Sequence, residues 1–243
     1  MSKKFAVFDV DGTFIRWQLF HVIIDRLAKQ GMLGTTVYDD IRSARMKWKQ
    51  RRSSDEFQFY EDKLFKSFVK SLAGVNYDDY LAIVKATLDE YLEQTYIYTR
   101  DLANQLKQQG YALLMISGSP VEALELLAKH YGFDDFDGFR GEVKNGKFTG
   151  KYTTPMFDKN GALDRLVQKH GLSYADSYGI GDTKTDAAIL AATQHPIAFN
   201  PSGHLLAEAK RRGWPVVIER KDVIYKLAPS GKIYQLQNAD YKL

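Results

Sequence analysis

Two aspartates, Asp9 and Asp11, stand at the end of the apolar run Phe5-Ala6-Val7-Phe8, and Gly12-Thr13 closes the stretch. A run of this kind reads as a strand buried on both faces. A carboxylate at its mouth costs on the order of several kcal/mol unless a cation or hydrogen-bond donors neutralise it. Residues two apart on a strand point to the same side, so the two acids also repel each other. Asp-Gly is a common turn pair, which accounts for Asp11-Gly12 but gives no reason for Asp9. At the C-terminal edge of a parallel sheet, both acids could share a hard, oxygen-seeking ion such as Mg²⁺.

Two more polar groups follow apolar runs. Tyr111-Ala112-Leu113-Leu114-Met115-Ile116 empties into Ser117-Gly118-Ser119-Pro120, and Ser177-Tyr178-Gly179-Ile180 runs into Gly181-Asp182-Thr183-Lys184-Thr185-Asp186. The acids of the second group are spaced i and i+4 around a helix start, where both can face the positive helix end. Lys159 opens a helix between them. Carboxylates from two strand ends suit Mg²⁺, which favours one or two protein carboxylates plus water and substrate phosphate. The Ser117 hydroxyl and a following N–H at a helix start would seat phosphate oxygens, and Lys159 would supply positive charge. Each residue has a plainer reading alone: helix caps for Ser117 and for one of Asp182 and Asp186, a solvated first-turn lysine for Lys159. Taken together and in this order, those readings do not explain the set.

The elements that must position these groups alternate. Helices over 99–109, 121–131, 159–171 and 204–212 separate the strands 111–116, 177–180, 196–199 and 215–218, and this predicts a doubly wound parallel α/β sheet with right-handed crossovers. Asn145-Gly146 between short strands predicts a hairpin. Between the first strand and this alternation lie only helical patterns, over 19–30, 37–50, a helix opened by a Ser53–Glu56 capping box, and another capped by Asn76. The expected organisation is an α/β core of residues 1–15 and 94–220, a helical cap over 16–93, and a tail over 221–243 able to form a terminal hairpin of Val223–Leu227 with Lys232–Leu236. Arg42, Arg45, Lys49 and Arg52 fall along one side of the cap and read either as a solvated face or as a positive face that overhangs the site and selects polyanions.

The chain has 243 residues, 44% hydrophobic and 26% charged, ordinary for a globular protein with a full core. The formal net charge of +4 suits anionic ligands and is too small to imply nucleic acid. With no cysteine, disulfides, thiolate metal sites and cysteine nucleophiles are excluded. No apolar run approaches membrane-spanning length, and the acidic strand comes too early for a secretory signal, so a cytoplasmic location is expected. Oligomeric state stays open.

Asp9-Val10-Asp11-Gly12-Thr13, Ser117, Lys159 and Gly181-Asp182 with Asp186 resemble the four motifs of the haloacid dehalogenase-like superfamily. Asn145–Gly150 and the stretch from His195-Pro196 through Asn200-Pro201 to Gly213-Trp214-Pro215 resemble its phosphoserine phosphatase-like branch, and the inserted helices resemble that branch's cap. The resemblance implies a Mg²⁺-dependent phosphatase of a small phosphorylated metabolite, with Asp9 attacking phosphorus to form an aspartyl-phosphate. Asp11 would protonate the leaving oxygen and then activate water. The metal would be held by the Asp9 carboxylate, the Asp11 main-chain carbonyl and Asp182, and the phosphoryl oxygens by Ser117, Gly118 and Lys159. Asp186 would orient Lys159 or a metal-bound water. Dehalogenases of the superfamily lack the second acid, so Asp11 favours phosphoryl transfer. Where phosphoserine phosphatases carry a Glu that meets the substrate ammonium, this chain has Gln18, and in place of their cap arginine it offers Lys63 and Lys66. Trp17, Gln18 and His21 are the candidates for specificity. A phosphotransferase using an acceptor other than water, a phosphoserine phosphatase proper and a non-catalytic polyanion-binding module are the alternatives.

Overall fold

A computed structural model describes residues 3–34, 36–50, 52–53, 55–231 and 233–241. The first strand, β1 (Lys3–Phe8), leads into four helices, α1 (Leu19–Lys29), α2 (Val37–Lys49), α3 (Glu56–Leu72) and α4 (Tyr77–Tyr91). Then come α5 (Ile97–Gln108), β2 (Ala112–Pro120), α6 (Val121–Tyr131), β3 (Asp135–Lys144), β4 (Lys147–Thr153), α7 (Lys159–Lys169) and β5 (Leu172–Gly181). The chain continues through α8 (Ala187–Ala192), β6 (His195–Phe199), α9 (Gly203–Arg212), β7 (Val216–Arg220), β8 (Val223–Ser230) and β9 (Ile233–Tyr241).

The strands form one sheet in the order β4-β3-β2-β1-β5-β6-β7-β8-β9. β1 pairs in parallel with β2 on one side and β5 on the other, and β3, β6 and β7 extend the parallel set outward. This is the doubly wound α/β arrangement, and β1 lies at the point where the order reverses, the place where such sheets bind ligands. Alternation along β1 explains why it can be central. Phe5 and Val7 pack with Leu114, Ile116 and α7, α8 and α9 on one face, and Ala6 and Phe8 with Leu113, Met115 and the inserted helices on the other. Burying each large side chain stabilises the sheet by roughly 1.5–3 kcal/mol.

The helical stretch between β1 and α5 has its two ends bonded to each other. Arg16 N–H donates to Gln94 O at 2.8 Å and Tyr96 N–H to Phe14 O at 3.0 Å. At its far end the insertion is tied to the β3–β4 hairpin, since Gly74 N–H donates to Phe148 O at 2.8 Å and Tyr77 N–H to Gly146 O at 2.9 Å. The hairpin turns at Asn145 and Gly146, both with positive φ (51° and 71°), as the Asn-Gly signal predicts. The helical segment is thus fixed over the sheet edge at two separated places.

Three local expectations shift. α3 begins at Glu56 with Asp55 as N-cap, and Ser53 Oγ accepts from Asp55 N–H at 3.2 Å while Glu56 reaches back to Arg52 N–H at 3.0 Å. Glu56 is therefore the first helical residue, too early to close the expected box. Ser54 lies outside the described residues. α5 starts two residues before Thr99, because Glu219 accepts from the first free donors of that helix, Ile97 N–H (3.1 Å) and Tyr98 N–H (2.9 Å). The tail does form antiparallel strands, but β8 also pairs antiparallel with β7, so the tail prolongs the sheet. Lys232, expected in the second arm, lies outside the described residues. Among the described residues no helix is long and apolar enough to cross a membrane.

Candidate active site

Asp9 follows β1 directly and its N–H donates to Ile180 O of β5 at 2.9 Å, so the sheet itself fixes its backbone. Its side chain is buried, and Lys159 Nζ donates to Oδ1 at 2.6 Å. Lys159 is the first residue of α7 and is itself buried; its second carboxylate partner is Asp186 Oδ1, also at 2.6 Å. Among the described residues no hydrogen bond engages Asp9 Oδ2.

Asp182 and Asp186 are brought together by a tight turn, whereas the sequence reading placed them on one helix face. A 3-10 turn over Lys184–Asp186 precedes α8, and Asp186 Oδ2 accepts from Asp182 N–H (3.1 Å), Thr183 N–H (2.8 Å) and Thr183 Oγ1 (2.9 Å). Asp186 thus both caps the turn and holds Lys159. Asp182 is turned the other way, and its Oδ1 accepts from the Thr13 hydroxyl at 3.1 Å. Gly12 is required by this approach. Its φ is +85°, and a Cβ there would lie 2.5 Å from Asp182 Oδ2.

Asp11 points to the end of β2. Its Oδ2 accepts from both Ser117 Oγ and Ser119 Oγ at 2.7 Å, and its Oδ1 from Phe20 N–H at 3.3 Å, at the start of α1. Ser117 does not cap a helix: its Oγ accepts Ser119 N–H at 2.9 Å, and α6 begins after Pro120. Ser119 was not singled out from the sequence, although it lies two residues after Ser117 and therefore on the same side of a strand. Thr13, which orients Asp182, was visible only as the end of the first motif.

A cavity of about 60 Å³ opens above these groups, lined by Asp9, Asp11, Gly118 and Lys159 from the core, Gln18, Phe20, His21 and Glu61 from the insertion, and Met156, Thr183 and Thr185 from the rim. Gln18 lines it and donates to the Asp11 carbonyl at 3.3 Å. His21 lines it too, buried edge-on against the Tyr60 ring at 4.9 Å. Trp17 does not; it lies in a separate groove with Arg16 and Gln94, donating to the Gln94 side chain. Nor do Arg42, Arg45 and Lys49 of α2, with Arg52 beyond its end, form a positive roof: all four are absent from the lining, and Arg45 pairs with Asp25 at 2.9 Å. What the insertion presents is an acid, Glu61, which no motif marked.

The electrostatics are those of an acidic site with one cation. Burial, opposed by Lys159 and reinforced by Asp186 and Asp11, pushes the Asp9 carboxyl up to about 7. Burial and the charges of Asp9 and Asp186 hold Asp182 well above the carboxylate range. Asp11 is raised by burial in spite of its two serine donors. Glu61 is raised to about 8 by burial and then by Asp11, Asp9 and Asp186. Burial would lower Lys159, but Asp186 and Asp9 outweigh it and keep the ammonium charged.

One carboxylate oxygen from each of Asp9, Asp182 and Asp186 lies within 4.8 Å of the others. Oxygen donors in uncompensated excess of negative charge are the donor set of a hard dication. The residues fit such an ion. Asp186 completes this group by proximity, but both of its oxygens are already engaged, one by Lys159 and the other by the Asp182–Thr183 turn.

The site thus sits on a Rossmann-like core, with an acidic pair at the end of its central strand, a buried lysine and a second acidic turn. Residues 6–191 match the haloacid dehalogenase-like hydrolase family, and the chain belongs to it. Among relatives, a histidinol-phosphatase of Neisseria meningitidis serogroup C is 26% identical over 223 residues, 88% of this chain and 98% of that one. A phosphoserine phosphatase of Archaeoglobus fulgidus is 25% identical over 208 residues, covering 82% of this chain and about half (53%) of its own length. In fold, the chain is similar to a phospho-aspartyl intermediate analogue of phosphoserine phosphatase, with a TM-score of 0.63 and 20% identity over 90% of this chain and 95% of that one.

Proposed function

We propose that this chain is a Mg²⁺-dependent phosphatase that hydrolyses a small phosphomonoester through an aspartyl-phosphate on Asp9. The observation that carries the reading is the state of the Asp9 carboxylate: Asp9 lines the cavity, its Oδ1 is held by Lys159 at 2.6 Å, and among the described residues no hydrogen bond engages Oδ2. A carboxylate oriented by one oxygen presents the other as a positioned nucleophile.

In the first step Asp9 Oδ2 forms a bond to phosphorus as the ester oxygen leaves with a proton from Asp11. In the second, Asp11 takes a proton from water, whose oxygen bonds to phosphorus; the bond to Asp9 breaks and inorganic phosphate departs. Burial raises the Asp11 carboxyl, the direction in which a general acid is tuned. Ser117 and Ser119 orient the carboxyl through its Oδ2. Lys159 and the Gly118 backbone would receive the phosphoryl oxygens. Asp9, Asp182 and the Asp11 carbonyl would hold the metal, with Asp186 behind them, and the ion would offset the charge that otherwise repels an anionic ester from an anionic nucleophile. Residues 16–93 would act as the cap.

The test is hydrolysis of p-nitrophenyl phosphate by the purified protein. Turnover that needs Mg²⁺, stops with chelator and is lost in Asp9→Asn is the expected result. Undiminished turnover by Asp9→Asn overturns the reading. The transferase alternative predicts a phosphorylated acceptor when an alcohol or sugar is added; free phosphate as the sole phosphorylated product removes it.

A further inference from the structure

Among the described residues, every charged side chain that lines the cavity except Lys159 is acidic, and Lys159 already serves two carboxylates, Asp9 and Asp186. On the insertion side the one charged lining group is Glu61 of α3. Its neighbour is His21, whose Nε2 lies 3.8 Å from Glu61 Oε1. Burial, with the nearby charge of Arg45, holds the His21 imidazole down to about 3, so it stays neutral and gives Glu61 no counter-charge at neutral pH. Arg45 is engaged by Asp25, and Lys63, two residues and so about half a helix turn from Glu61, pairs with Asp40 at 3.8 Å. Among the described residues, no basic group of the insertion lines the cavity, whereas an acid does.

A carboxylate held over an already acidic site is unfavourable by itself, and burying it unpaired is costly. Glu61 keeps its proton while the cavity is empty and would ionise to advantage only against a cation that arrives with the substrate. Resting on the phosphatase reading above, we infer that Glu61 is the residue that selects the leaving group, and that the substrate is a phosphorylated amino alcohol whose ammonium meets Glu61 and which carries no carboxylate. Phe20, which also lines the cavity, offers an apolar wall for the short carbon chain between phosphate and ammonium. Among the described residues that line the cavity, a substrate carboxylate would find no cation besides Lys159 and would face Glu61 and Asp11 instead. Discrimination therefore comes from attraction to the ammonium and from repulsion of the acid together. The raised proton affinity of Glu61 fits the same picture, since a bound ammonium would relieve the crowding of like charges that causes it.

The experiment compares kcat/KM of the Mg²⁺-loaded protein for phosphoethanolamine, its neutral analogue propyl phosphate, and phosphoserine. Wild type is expected to prefer phosphoethanolamine over each of the others by roughly ten-fold or more, the scale of one charge-assisted hydrogen bond. Glu61→Gln should collapse the ratio of phosphoethanolamine to propyl phosphate toward one, and Glu61→Arg should reverse the order of phosphoethanolamine and phosphoserine. Both substrates are read on the same preparation, so a loss of folded protein lowers both rates and leaves the ratio intact. Equal wild-type rates on the amino and neutral esters, or a ratio untouched by Glu61→Gln, overturn the assignment of Glu61 while the phosphatase reading stands. Hydrolysis of none of these esters, nor of p-nitrophenyl phosphate, removes both.

Discussion

Asp186 approaches Lys159 to 2.6 Å with one carboxylate oxygen and with the other accepts the N–H groups of Asp182 and Thr183. A single side chain therefore couples the acidic turn after β5 to the lysine that holds Asp9. The buried ammonium is held by two carboxylates, Asp9 and Asp186, each at 2.6 Å, so a shift of the turn would disturb it. Neither oxygen of Asp186 can be exchanged for a donor.

That geometry makes Asp186→Asn a sharp test. Its amide nitrogen must face either the Lys159 ammonium or the two backbone N–H groups, donor against donor. One buried group is then left without a partner, costing about 1–3 kcal/mol. Urea unfolding should show that loss, and p-nitrophenyl phosphate hydrolysis should fall further than the loss of folded protein explains. Wild-type stability in Asp186→Asn would show that the coupling is not tight.

The pH dependence of stability follows from the crowded acids. Asp9 rises from its ordinary 3.8 to about 7 and Glu61 from 4.5 to about 8 in the folded protein. The native state then keeps protons that the unfolded chain has already released. The stability this brings is fully present below the ordinary values and is lost as pH climbs through the folded ones. His21 works in the opposite sense: lowered from 6.5 to about 3, its contribution is fully present above its ordinary value and is lost only as pH falls below it. From about pH 6.5 to 8 the acids act alone. Thermal melts in chelator should show Tm falling across that window, and added Mg²⁺ should flatten the slope. A Tm rising toward pH 8 in chelator would contradict the placement of these carboxyls.

Gly12→Ala places a Cβ 2.5 Å from Asp182 Oδ2 on a backbone with φ of +85°. The strain costs about 1–3 kcal/mol, and part of it would be relieved by pushing Asp182 away from Asp9. The expected outcome is a lowered melting temperature together with a higher Mg²⁺ concentration for half-maximal activity. Asp182 would be excluded as a ligand by an unchanged metal requirement in a variant that is destabilised.

Asp11→Asn keeps the shape of a group that accepts from Ser117 and Ser119 but cannot donate a proton as an acid. Loss of general acid–base catalysis corresponds to about 10²–10⁴ in rate. The defect should be larger for an alkyl phosphate, whose leaving oxygen needs the proton, than for p-nitrophenyl phosphate, whose leaving group departs as an anion. Equal losses on the two esters would place Asp11 outside the proton transfer.

Much of the architecture was legible because period-two and helical apolar patterns are local. The burial of β1 on both faces, the alternation of strand and helix, and the Asn145-Gly146 turn needed no knowledge of distant contacts. So did the clustering of Asp9, Lys159, Asp182 and Asp186, since strands that lie side by side in a doubly wound sheet bring their ends together. Where distant residues set the outcome, the reading shifted. Glu219 begins α5 early by capping it from more than a hundred residues away, and the tail becomes part of the sheet because β7 offers an unpaired edge.

The linear chain by itself determined which chemistry is available: carboxylates, one lysine and serines at strand ends, and no thiol. Only the folded molecule decided how they are shared. It turned the Ser117 hydroxyl onto Asp11, made Asp186 the hinge between Lys159 and the turn, sent Trp17 to another groove and brought Glu61 over the cavity. Those outcomes depend on rotamers and on the docking of α3 against the core, which are set by contacts among residues far apart in the sequence and carry no local signature.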